Sequence, residues 1–251
     1  MIAWLLALVV AGVCVKLGFW QLDRLHGRRD INASIRVGLA QPARPLDELL
    51  AAHPATSLGF RQVTVTGTYD TADEVILYGR TLDGENGNHV LTPLRPSDGG
   101  PIVVVDRGWV PFAMDTPPVG AAAPPTGEVT VTGALFPPDA SGGDALSSPT
   151  VSKVDLSQLA ATYGEDVLPM YVLLADQSPP QPNDLPKPAP LPELNEGPHL
   201  SYAIQWFSFA TIAIVGLVVL VRRDLRDQAL AESDGDDADQ CDEGDGPVPP
   251  E

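Results

Sequence analysis

Residues Leu200 to Val221 read LSYAIQWFSFATIAIVGLVVLV, a run with no charged side chain. At about 1.5 Å per residue, a helix of that length crosses the roughly 30 Å hydrocarbon core of a bilayer. Gly197, Pro198 and His199 stand before it, and Arg222, Arg223 and Arg226 after it. A second apolar stretch opens the chain: Ile2 to Val15, then Lys16, then LGFWQLDRL. Everything else must be folded between these two stretches or after them. The expectation is a membrane α-helical hairpin of two transmembrane helices flanking one extracytoplasmic domain.

Charge sharpens this plan. The net charge of −18 is unevenly spread: residues 1–38 carry +3, 39–198 carry −13, 199–231 carry +1 and 232–251 carry −9. An acidic middle domain repels nucleic acid, so no nucleic-acid partner is expected. The tail ESDGDDADQCDEGDGPVPPE has no basic and almost no apolar residue, so it cannot offset its ordering entropy and is expected to be disordered. The two cysteines, Cys14 and Cys241, fall in the first span and in the tail. The middle domain therefore has no thiolate metal site or disulfide of its own, and copper delivery through a Cys-x-x-x-Cys pair is excluded.

The first span reads as a retained anchor rather than a cleaved signal. No Lys or Arg precedes Ile2, and VAGVCVKLGFWQ is a poor cleavage site. The missing basic flank also points to a translation start upstream of Met1. Leu17 to Trp20 extend the short apolar run if Lys16 snorkels to the interface. For orientation, Arg222, Arg223 and Arg226 put the C-terminus in the cytoplasm. Two spans then bring both termini inside and the middle domain outside. Arg24, Arg28, Arg29 and Arg36 argue the other way, but the second span has the cleaner contrast, with Glu193 and Glu196 on its far side.

The predicted organisation is a transmembrane helix over 1–20, a juxtamembrane helix over 21–40, a β-rich domain over 41–177, a Pro-rich linker over 178–198, a second transmembrane helix over 199–221 and a cytoplasmic acidic tail over 222–251. Leu17, Trp20, Leu25 and Ile31 mark an apolar side of the first long helix. A short helix is expected at Leu46 to Ala52. Period-two alternation predicts strands at Gln62 to Tyr69 and Glu128 to Phe136, which share the sequence VTVTG. Further strands are expected at Glu74 to Gly79, His89 to Leu94, Pro101 to Val110 and Pro169 to Ala175. Pro101 to Val110 is the most hydrophobic of them and should be central. Asp155 to Tyr163 reads as a helix capped by Asp155. With turns at Asp83-Gly84 and Asn86-Gly87, the set is a mostly antiparallel β (α+β) domain. Pro111 to Pro125 and Ser178 to Pro198 read as linkers, the second extended.

No P-loop, Gly-x-Ser-x-Gly, His-Glu-x-x-His or dinucleotide fingerprint is present. His26, His53 and His89 are scattered and read as surface or loop residues. Asp106 and Arg107 read as the end of a strand with a structural ion pair. His199 is placed differently, with Tyr202 and Trp206 at i+3 and i+7 on one helical face. Neutral imidazole is a common axial ligand of haem iron, and aromatic rings cover a porphyrin well. The competing reading is an interfacial aromatic belt with a headgroup-facing histidine. Gln205, polar within the bilayer, calls for a partner: the first span, another subunit or a ligand.

At these residues the chain resembles a known family. LGFWQLDRL at Leu17 to Leu25, VDRGWVP at Val105 to Pro111 and HLSYAIQWFSFA at His199 to Ala210 resemble, in order and spacing, the Surfeit locus protein 1 family. The resemblance covers roughly residues 1–225. It implies a non-enzymatic assembly factor for haem–copper cytochrome c oxidase, associated in bacteria with delivery of haem a to the oxidase core subunit. The implied partners are that subunit, haem a synthase and the lipid bilayer. The family's histidine before the second span falls on His199, and its Gly-x-Trp-Gln on Gly18, Trp20 and Gln21. Where the family often has Asn-Asn before the histidine, Gly197 and Pro198 stand here. On this reading His199 is the haem-iron ligand, Tyr202 and Trp206 cover the porphyrin, and Arg24 or Arg28 pairs with its propionates if the two helices pack. Two rival readings stand beside it: a scaffold for the nascent oxidase that never touches haem, and a membrane-tethered β-domain sensor.

Overall fold

The computed structural model describes residues 2–139, 149–163 and 166–242. The chain divides into two compact units, Met1–Asp30 with Asn195–Glu251, and Ile31–Leu194.

The second unit is the β domain. Its strands are β1 (Arg44–Pro45), β2 (Gln62–Tyr69), β3 (Val75–Leu82), β4 (Glu85–Pro96), β5 (Val103–Pro111), β6 (Glu128–Phe136), β7 (Thr150–Val151) and β8 (Tyr171–Ser178). Two short helices join them, α2 (Leu46–Ala52) and α3 (Leu156–Tyr163). The order β1-β2-β6-β8-β5-β4-β3-β7 is supplemented by a β2–β4 pairing, so β2, β6, β8, β5 and β4 close into a ring. Closure removes the free edges that an open sheet of these strands would expose. All five ring strands feed one apolar cluster, which includes Val65, Leu94, Val105, Val131 and Val172, and Leu46 and Leu49 of α2 join it. The β5 run is buried on both sides. Val103 and Val105 face the ring core, and Val104 joins Val75, Leu91 and Leu159 in a second cluster beneath α3. As expected, β5 is an inner strand; it pairs antiparallel with β4 and parallel with β8.

The repeated VTVTG has a structural reason. The two copies are antiparallel partners, Val65 opposite Val131 and Thr66 opposite Thr130, with the two threonine Oγ1 atoms 3.0 Å apart. Matching valines point to the core and matching threonines away from it, so like pairs with like across the ladder. Asp155 caps α3 as predicted, accepting from the Ser157 and Gln158 backbone N–H groups.

Several expectations are corrected. Asp83 and Gly84, both at positive φ, form the β3–β4 hairpin turn, whereas Asn86 and Gly87 lie inside β4. One two-residue turn suffices to reverse the chain, so the second dipeptide is left to pair. Pro111 to Pro125 is more than a linker. Val119 and Ala122 are buried there against Ile76, Val90 and Val110, and the Val119 N–H donates to Glu74. The Pro-rich stretch after β8 is likewise tied to the domain: Lys187 exchanges two backbone hydrogen bonds with Trp109, and Gln181 donates to Ala123 and Leu185 carbonyls.

The first unit is helical. Helix α1 (Ile2–Leu39) runs without a break through the expected juxtamembrane segment, and α4 (His199–Asp242) continues past the arginines into the acidic segment. Adding residues to an established helix needs no new nucleus, so α4 extends beyond the point where apolar sequence ends. Residues 243–251 of the expected disordered tail lie outside the described residues. Both helices contain stretches long and apolar enough to cross a membrane, as a two-pass membrane protein requires.

Candidate functional site at the helical hairpin

The two helices run antiparallel. Contacts pair Arg29 with Glu196, Gln21 with His199, and Gly18 with Phe207, so residue numbers fall along α1 as they rise along α4. The buried positions of α1 in this part are Ala11, Cys14, Gly18 and Leu25, spaced three, four and seven apart; those of α4 are Ala203 and Ala210, seven apart. That is the heptad spacing of a pair crossing at a shallow angle. The contact residues are small, as expected where lipid removes the hydrophobic drive and close packing must replace it. A Cβ on Gly18 would lie 2.7 Å from the Phe207 ring, so glycine is what lets that ring lie against α1. The ring also meets Phe19 edge-on, with centroids 5.4 Å apart.

The apolar side expected on α1 is therefore corrected. Trp20 and Ile31 are about half exposed, and of the four marker residues only Leu25 is fully buried. In a membrane, bulk faces lipid and smallness marks the contact.

His199 opens α4 and is half-buried, its Nδ1 2.9 Å from Gln21 Oε1. The chain enters this helix through Gly197 at φ 66°. Asparagine tolerates that left-handed region better than most residues, so glycine meets the same backbone demand as an asparagine there. Trp206 is half-buried and meets Phe209 edge-on at 5.9 Å, and Tyr202 is 47% exposed. Of the expected propionate partners, Arg24 lies over the Trp20 ring, 5.5 Å from its centroid, and Arg28 is exposed. Gln205 is exposed as well. The polar residue with a partner across the hairpin is Gln21 instead. Sequence reasoning also missed the bidentate pair between Arg29 and Glu196, two bonds of 2.9 Å. Among the described residues, no three His, Cys, Asp or Glu side chains gather as a metal site.

The β domain holds a second polar cluster, and its chemistry is different. His89, expected at the surface, is buried; its Nδ1 lies 2.8 Å from Asp106 Oδ2, while Asp106 Oδ1 accepts from the Gly108 N–H. Arg107 is fully buried. It pairs with Glu74 at 3.5 Å, donates to the Ala122 carbonyl and Gln181, and sits 5.3 Å from the Tyr69 ring centre. Asp106 and Arg107 each take a partner from another strand or loop rather than each other. Glu74 also accepts from Thr92 and the Val119 N–H. Burial pushes the Glu74 carboxyl above its usual range, against the pull of Val119, Arg107 and Thr92, and pushes the Arg107 guanidinium down. Burial likewise raises the Tyr69 hydroxyl, which donates to Gln177. The VDRGWVP motif thus has a structural explanation: its charges tie β5 to β4 and to Glu74 just before β3, and its tryptophan donates to the Arg80 carbonyl of β3 beneath Lys187.

Two apolar antiparallel helices joined by a histidine–glutamine contact, with a closed β domain in the chain between them, define a two-span protein whose ends meet in one hairpin. A model of the SURF1 family matches residues 8–211. An uncharacterised SURF1-like protein of Mycobacterium bovis is 34% identical over 240 residues, covering 89% of this chain and 85% of that relative. SURF1-like proteins of Monosiga brevicollis and Rickettsia felis are 29% and 25% identical, covering 86% and 88% of this chain and 86% and 97% of their own lengths. The chain belongs to the SURF1 family, a non-catalytic family of oxidase assembly factors.

Proposed function

We propose that this protein assists assembly of cytochrome c oxidase by holding haem a at His199 and passing it to the oxidase core subunit, with haem a synthase as the source. The observation that carries this reading is the position of His199: a half-buried imidazole at the first residue of an apolar helix, followed along that helix by Tyr202 and Trp206. A carrier must release its cargo. One histidine binds iron less firmly than two, and a site at the helix entrance keeps the apolar tail of haem a close to lipid. Arg24 and Arg28 are the cations on α1 for the propionates.

The same reading sets the orientation. Arg222, Arg223 and Arg226 hold both termini in the cytoplasm and leave residues 40–198 outside. The opposing arginines after the first span are partly offset, because Arg29 is paired with Glu196. A reporter active only in the cytoplasm should work when fused after Glu251 and stay silent when inserted at 182–192.

The test of haem binding uses the full chain, purified in detergent from membranes that also make haem a. A Soret band should accompany the protein and vanish in His199→Ala, with insertion unchanged. Equal haem a in wild type and variant removes the ligand assignment and leaves the scaffold reading, in which the protein steadies the nascent oxidase without touching haem.

A further inference from the structure

Gln21 occupies a place in the hairpin where an apolar or small residue is expected. The contact face of α1 runs Ala11, Cys14, Gly18, then Gln21, then Leu25, at three- and four-residue steps. A polar amide on a helix–helix contact in an apolar setting costs free energy unless it has a partner. Its partner is the His199 ring nitrogen Nδ1, at 2.9 Å. The oxygen Oε1 can only accept, so Nδ1 carries the proton and Nε2 keeps its lone pair. The reverse pairing, an amide NH2 donating to a bare Nδ1, would put the proton on Nε2 and close it to any metal. The two arrangements have opposite consequences for a metalloporphyrin.

We propose that Gln21 is a positioning residue that holds His199 in the Nδ1–H tautomer and turns Nε2 toward an iron porphyrin. A hydrogen-bond acceptor on the far nitrogen of a metal-binding imidazole fixes its tautomer and ring orientation and raises its basicity. The neighbouring contacts set the register that brings the two side chains together. Gly18, one turn before Gln21, admits Phe207 against the helix, and Arg29, two turns after it, is clamped by Glu196. The inference rests on the haem reading of His199 for its ligand, but the tautomer can be measured without any ligand.

The test has two arms on the full chain in detergent. In the first, apo protein carries 15N in its histidine rings, and the His199 signals are assigned by their loss in His199→Ala. Wild type should show the proton on Nδ1; Gln21→Leu should populate the Nε2–H form. A wild-type proton on Nε2 overturns the proposal. In the second arm, binding of added haem a is titrated. Gln21→Leu should bind roughly ten- to a hundredfold more weakly, and Gln21→Glu, which keeps an acceptor, should recover most of that loss. Leucine suits the contact face, so weakened binding in that variant is not a failure to form the hairpin. Equal binding by Gln21→Leu and wild type, with His199→Ala inactive, overturns the role of Gln21 while the haem reading stands. The expected tautomer with haem a binding indifferent to His199 keeps the positioning contact and overturns its haem role.

Discussion

The hairpin and the β domain both bury a histidine against a polar partner, and the surroundings give the two pairs different meanings. In the β domain, His89 faces Asp106, which is also held by the Gly108 N–H, and Arg107 nearby is held by Glu74, Ala122 and Gln181. These groups lie among apolar clusters drawn from several strands. In the hairpin, His199 has a neutral partner in Gln21, is only half-buried, and sits where the helix meets the chain entering it. A buried network directed inward specifies a fold; a single neutral contact that leaves one ring nitrogen open can serve a ligand. The location of a histidine pair says little until the other nitrogen is considered.

Breaking the inner network should have the largest effect. Arg107→Ala leaves Glu74 buried without its cation and should cost about 3–5 kcal/mol, read as a lower melting temperature of the full chain in detergent. If melting is unmoved, the β-domain network is not what holds the fold. Gly18→Val forces a branched side chain into the Phe207 ring, an overpacking worth about 1–3 kcal/mol. Its effect should fall on the hairpin, read as weaker haem a binding with the melting of the β domain unchanged. Asp155→Ala removes the cap of α3 and should cost about 1 kcal/mol by denaturant unfolding, with no change at His199. Arg29→Ala should be the mildest. The pair with Glu196 is half exposed on both sides and screened by water, so its loss should barely move stability. A larger loss, measured as hairpin opening between spin labels on the two helices, would make that clamp a main support of the site.

Much of this contrast was legible in the sequence, and the failures share a cause. The strands at Gln62 to Tyr69 and Glu128 to Phe136 and the helix at Leu46 to Ala52 were readable to the residue, because alternation and the flanking prolines are local signals. That the two VTVTG copies pair with each other, and that His89 meets Asp106, depends on a register no local pattern carries. Asp83-Gly84 and Asn86-Gly87 look alike as dipeptides, and only the pairing decides which one turns. At the hairpin, the spacing of His199, Tyr202 and Trp206 along one helix was legible, and so was the motif that contains Gln21. Its contact with His199 was not. The contact face was sought among bulky residues, whereas Gly18, Cys14 and Ala11 form it.

The central claim is that the hairpin histidine serves the cargo and the domain histidine serves the fold. It is tested most directly by measuring, on the same preparations of His199→Ala and His89→Ala, the melting temperature and the haem a bound per folded molecule. His199→Ala should melt with wild type and carry little haem a. His89→Ala strands Asp106 in the interior and should melt lower, yet each folded molecule should carry haem a as wild type does. A His199→Ala protein that keeps its haem a, or a His89→Ala protein that melts normally and loses it, would contradict the account.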